Sequence, residues 1–84
     1  MLYYIYIGSN RAIIEHLGKV TGGMFVVVSS SRKAAKLVDG INERYNISIL
    51  YERTTPENDC PDIIYLRKRY PRVYITLVTE TLQS

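Results

Sequence analysis

The stretch Ile49 to Cys60, ILYERTTPENDC, gathers most of the side chains able to do chemistry. An apolar run ends on Glu52, and Glu57, Asp59, Cys60 and Asp62 follow closely. A carboxylate at the end of a strand can accept a transferred group or ligate a cation, because the backbone holds its charge in a fixed place. Cys60 needs a lowered pKa to act as a nucleophile, and the neighbouring Asp59 and Asp62 oppose thiolate formation. It is assigned no catalytic part. A second candidate is Gly8-Ser9-Asn10, which follows an apolar run. Backbone N–H groups at such a turn can receive an anion. Without a glycine-rich fingerprint or a lysine, however, these residues favour plain helix capping. His16 has no partner at metal-ligand spacing and reads as a helix-surface residue. Arg67, Lys68, Arg69 and Arg72 surround Tyr70, an interleaving of charge and aromatic ring that nucleic-acid sites also use. These four cations exceed the formal charge of the whole chain, +3, so the remainder sits at −1. A single basic helix end that satisfies its own dipole is the simpler account. No metal or other cofactor is expected.

The elements that position these groups follow from patterning. Leu2 to Ile7, Met24 to Val28, Ile47 to Tyr51 and Val73 to Val78 are short, β-branched and aromatic, which predicts strands. Most are nearly continuous apolar runs, as in parallel sheets covered on both faces. Three helices are predicted between them. The first spans Arg11 to Val20, capped by Ser9 or Asn10 and stopped by Gly22-Gly23. The second is capped by Ser31, carries an apolar stripe of Ala34, Val38, Ile41 and Tyr45, and ends at Asn46. The third begins at Pro61, turns Ile63, Leu66 and Tyr70 inward, and stops at Pro71. The order βαβαβαβ with short connections predicts right-handed crossovers and an α/β parallel sheet. In such sheets functional groups gather at the carboxyl ends of the strands. Here those ends are Gly8-Ser9-Asn10, Ser29 to Ser31, Glu52 to Asp59, and Thr79-Glu80.

Set in that order, ILYERTTPENDC resembles the phosphoacceptor segment of the response-regulator receiver domain, the CheY-like family, whose pattern is an apolar strand ending in D-x-x-M-P-x-x-D-G. Glu52 stands at the phosphorylated Asp, Thr55 at the Met, Pro56 at the Pro, Asp59 at the second Asp and Cys60 at the Gly. Asp62 to Glu80 resembles the next helix and strand, with Thr79 at the Ser/Thr switch position. Gly8 and Ser9 fall near the family's metal-binding acids. The resemblance implies a three-layer flavodoxin-like sheet of strand order 2-1-3-4, lacking the family's fifth βα unit. It also implies a degenerate site. Phosphotransfer in that family needs an Asp nucleophile, acids that hold Mg²⁺, and a Lys on the fifth strand. All are altered or absent, so no phosphotransfer is expected. Glu52 then either mimics the phosphorylated state, with Thr79 sensing it, or is a solvated strand end.

Length and composition bound what surrounds this site. At 84 residues, 46% hydrophobic and 23% charged, the chain is a single folded domain spanning positions 1–84. One Cys forms no internal disulfide, which points to the cytoplasm. Leu2 to Ile7 is too short to span a membrane, and no membrane contact is expected of this domain. Without a fifth strand, Val73, Tyr74, Ile75 and Leu77 form an apolar edge that invites a homodimer. The simpler expectation is that the 84 residues are the N-terminal part of a longer chain. The expected function is therefore that of a non-phosphorylatable module that binds a protein partner or controls a fused output domain in signal transduction, without enzymatic activity of its own. Receiver-like segments lacking the acids also occur at the N-termini of bacterial regulators and of some polyprenyl-phosphate sugar transferases of capsule or exopolysaccharide synthesis. The alternative from another class is a small flavodoxin-like enzyme that binds a nucleotide or phosphate at Gly8 to Asn10.

Overall fold

The computed structural model describes residues 2–41, 45–53 and 61–78. Within them, β1 (Leu2–Ile7), α1 (Arg11–Val20), β2 (Met24–Val28), α2 (Ser31–Gly40), β3 (Asn46–Glu52), α3 (Pro61–Arg69) and β4 (Tyr74–Val78) follow in order. The strands form one sheet in the order β2-β1-β3-β4, and every pairing is parallel. The predicted α/β class, parallel sheet and strand order are all present. Because β1 to β2 steps one way across the sheet and the next two crossovers step the other way, right-handed connections put α1 on one face and α2 with α3 on the other.

Side-chain alternation assigns each strand residue to a face. Ile5 and Ile7 of β1 and Ile47 and Ile49 of β3 turn toward α2 and α3, where they join Ala34, Ala35, Val38 and Leu66 in the main core. The opposite face carries Tyr6, fully buried, with its ring 6.3 Å from that of Phe25. An added Cβ at Gly18 would lie 3.9 Å from the Phe25 ring, which places α1 over this pair. In register with Tyr4 and Tyr6 on the same face lie Ser48 and Leu50, then Tyr74 and Thr76. Tyr74 is 72% exposed, so no described helix covers the β4 side of that face.

Gly23 is required by a close approach. A Cβ there would overlap the carbonyl oxygen of Leu2, so any other residue would push β2 away from β1 at the start of their ladder.

The second helix departs from its sequence pattern at both ends. Its cap is Ser30, whose Oγ accepts from the Lys33 backbone N–H at 3.2 Å, rather than Ser31. It ends at Gly40 with Ile41 as C-cap, well before Asn46, which instead opens β3 opposite Leu2. Ile41 and Tyr45 do pack on the core, as their periodicity implied. They reach it from outside the helix, Tyr45 standing edge-on to Tyr3 with ring centres 5.9 Å apart. Gly40 is a weak helix former, and pairing Asn46 with β1 gains ladder hydrogen bonds that a longer helix would forfeit. The third and fourth strands also shift by a residue or two: β3 runs over Asn46–Glu52 and β4 begins at Tyr74.

Candidate functional site

At the carboxyl end of the sheet, β1 delivers Gly8 beside Glu52 at the end of β3. The register that pairs Ile7 with Tyr51 makes them neighbours. The Glu52 carboxylate takes three hydrogen bonds. Its Oε1 accepts from the Ser9 N–H at 3.0 Å, and its Oε2 accepts from the Asn10 N–H at 2.9 Å and the Tyr6 hydroxyl at 2.7 Å. Ser9 and Asn10 immediately precede α1, whose first-turn N–H groups lack partners within the helix and whose dipole is positive at that end. Asn10 itself accepts from the Ile13 N–H at 3.2 Å, making it the N-cap. Two caps therefore act on one helix start, the local Asn10 and the distant Glu52.

The side chain of Glu52 also explains Gly8. A Cβ on Gly8 would stand 2.6 Å from the Cβ of Glu52 and 2.7 Å from its carboxyl carbon. Only glycine lets the carboxylate lie across the turn. Burial pushes the Glu52 pKa up, but the bonds from Ser9, Tyr6 and Asn10 outweigh it and hold the carboxyl below its ordinary value. The three donors favour the ionised form.

No family model, curated protein or solved structure matches this chain.

The structure brings together Glu52, Gly8 and Ser9, the core of the sequence-predicted site. Thr79 lies outside the described residues, as do Thr55, Pro56, Asp59 and Cys60 of the loop. Glu52 is a bonded internal cap and not a freely solvated strand end, while its reading as a mimic of the phosphorylated state turns on Thr79, outside the described residues. By sequence Gly8 to Asn10 favour helix capping and Glu52 is a separate strand-end anion. Joining them required the β1–β3 register. Tyr6 was missed as a site residue because an aromatic in an apolar strand reads as core, which its ring is.

Two further arrangements lie outside this cluster, the first at the same end of the sheet and the second at the opposite end. Asp62, at the start of α3, accepts from the Tyr51 hydroxyl at 2.9 Å. Asp39, at the end of α2, accepts from the Tyr70 hydroxyl at 2.7 Å and from Arg69 at 3.1 Å, and Arg69 Nε also donates to the Tyr70 oxygen at 2.9 Å. The hydrogen bond from Tyr70, then that from Arg69, holds the Asp39 carboxyl below its ordinary value. This cluster borders an open cleft of about 640 Å³ at the amino ends of β3 and β4, lined also by Tyr45 and Arg72. Its polar groups already satisfy one another across α2 and α3. Among the described residues no group of three His, Cys, Asp or Glu is placed to hold a metal ion. No helix among them is long and apolar enough to cross a membrane.

Proposed function

We propose that the chain is a non-phosphorylatable, receiver-like module that works through protein–protein contacts or by controlling a fused output domain. The observation that carries this reading is the engagement of Glu52. The residue standing at the phosphoacceptor position spends both carboxylate oxygens on Tyr6, Ser9 and Asn10. An in-line phosphoryl transfer needs a free nucleophilic oxygen and a cation to offset the transferred charge. Here both oxygens already accept hydrogen bonds, and Gly8 and Ser9 offer no carboxylates for the cation. The same bonds argue against the phosphate-binding alternative, because the N–H groups that would cradle an external anion already hold an internal one. The parallel sheet of order β2-β1-β3-β4 suits the flavodoxin-like arrangement on which this reading depends. The open side of β4, with Tyr74 exposed, adds a surface for a partner, including a second copy.

Incubation with acetyl phosphate and Mg²⁺ tests the reading. The intact mass is expected to stay unchanged, and amide signals of Gly8, Glu52 and Arg53 are expected not to titrate with Mg²⁺. A phosphoryl adduct on Glu52, or saturable Mg²⁺ shifts at those amides, would overturn it.

A further inference from the structure

Positive charge gathers on two helices of this molecule. α2 carries Arg32, Lys33 and Lys36 against Asp39, and α3 carries Arg67, Lys68 and Arg69 against Asp62. Six cations against two acids give these two helices +4 within a chain of +3, so all other residues together come to −1. The helices are neighbours on one face of the sheet, joined by the Tyr70 hydroxyl, whose single proton is shared between Asp39 at 2.7 Å and the Ala35 carbonyl at 3.0 Å, and by Arg69 to Asp39. Both of their acids have hydrogen-bond partners within the fold, Asp39 with Arg69 and Tyr70, Asp62 with Tyr51. Arg32, Lys33, Lys36, Arg67 and Lys68 are all exposed, and among the described residues Asp39–Arg69 is the one ion pair. Beside Arg67 and Lys68, one turn earlier on the outer side of α3, Ile64 is 41% and Tyr65 48% exposed.

We infer that the α2–α3 face is a docking surface for an acidic protein segment that also carries apolar side chains. Unpaired cations of one sign attract a partner of the other, and they set encounter rate and orientation. Ile64 and Tyr65 add exposed apolar area beside Arg67 and Lys68, the combination of apolar and charged groups that a protein interface uses. A nucleic acid fits less well. Of the two exposed apolar side chains only Tyr65 has a ring, whereas single-stranded nucleic acid is held by stacking successive bases. The inference rests on reading the chain as an interaction module and names the chemistry of its partner.

The probe is a fluorescein-labelled peptide in which glutamates surround leucine and phenylalanine, titrated against the full chain by anisotropy. Saturable binding that weakens with salt is expected. The double reversal Lys36→Glu with Lys68→Glu should weaken it by roughly tenfold, the order expected for two exposed attractions turned into repulsions. The reversal Arg11→Glu with Lys19→Glu, on α1 across the sheet, changes net charge equally and should leave affinity near that of the parent. Ile64→Ser with Tyr65→Ser should weaken the binding that persists at high salt. Circular dichroism of each variant verifies that the fold is kept. Absence of saturable binding, equal loss in both charge reversals, or tighter binding of oligouridylate or phosphatidylglycerol vesicles than of the peptide overturns the inference. An unchanged mass after acetyl phosphate would still leave the interaction-module reading in place in that event, so the two fail separately.

Discussion

Glu52 and Gly8 form a pair in which each residue type depends on the other. The carboxylate needs the glycine because a Cβ would occupy its space, and the helix start needs the carboxylate for its N–H groups. Gly8→Ala is therefore expected to destabilise the fold by about 1–3 kcal/mol, the range for overpacking a filled site. In a background carrying Glu52→Gly, which removes the Cβ as well as the carboxylate, the same change should cost less, and a chemical-denaturation cycle measures the difference. Additive losses would mean that the two residues are independent. Glu52→Gln keeps the size but places an amide among three donors, at an expected cost of about 1–3 kcal/mol at neutral pH. The pH dependence follows from the lowered pKa. A carboxyl whose folded value lies below its unfolded value adds stability above the unfolded value, about 4.3 for glutamate, and loses it as pH falls through the folded value. Acid melting curves of the parent and of Glu52→Gln should accordingly converge below the ordinary glutamate range and separate above it.

At the scale of elements, what could be read in the sequence was whatever local pattern determines. The bounds of β1, α1, β2 and α3 follow from apolar runs, caps and proline positions, and the structure keeps them. The end of α2 does not follow from local pattern. Ala34, Val38, Ile41 and Tyr45 share a helical period because all four belong to the core, yet Ile41 and Tyr45 enter it from beyond the helix. Periodicity reports burial and is silent on which backbone delivers it. The site splits the same way: Glu52, Gly8 and Ser9 were legible as types at strand ends, whereas their mutual bonding depends on strand register. The tie between α2 and α3 was likewise hidden, since Asp39, Arg69 and Tyr70 meet only when the helices are side by side. Tyr70→Phe tests that tie. Loss of the hydroxyl is expected to cost about 1 kcal/mol. It should also raise the pKa of Asp39 toward its ordinary value, because the Tyr70 bond is the foremost cause of its lowering. Carboxyl-detected NMR titration reads this directly, and an unmoved Asp39 would show that Arg69 alone sets its charge.

For the molecule as a whole, the two faces of the sheet are covered unequally. α2 and α3 share one face and α1 has the other, so the described structure leaves Tyr74 and Thr76 of β4 exposed where a further layer would lie. β4 is a sheet edge among the described residues, and its sequence YITLV holds no charge and no proline. Those are the devices by which edges are usually kept from pairing. Val73 and Ile75 pack toward the main core, so of the predicted interface residues it is Tyr74 whose side chain stands out to solvent. Two copies meeting edge to edge through β4 would run antiparallel about a two-fold axis, a self-complementary contact that closes as a dimer and does not propagate. The basic α2–α3 layer would remain free on the other face of each copy. Sedimentation velocity over a concentration series is therefore expected to show a reversible monomer–dimer equilibrium, shifted strongly to monomer by Tyr74→Lys. That residue is exposed enough to change without disturbing the core, and a lysine is a common guard of natural edges. A clean monomer for the parent at high concentration, or an equilibrium indifferent to Tyr74→Lys, would remove β4 as the contact and leave the α2–α3 layer as the surface through which this fold meets its partners.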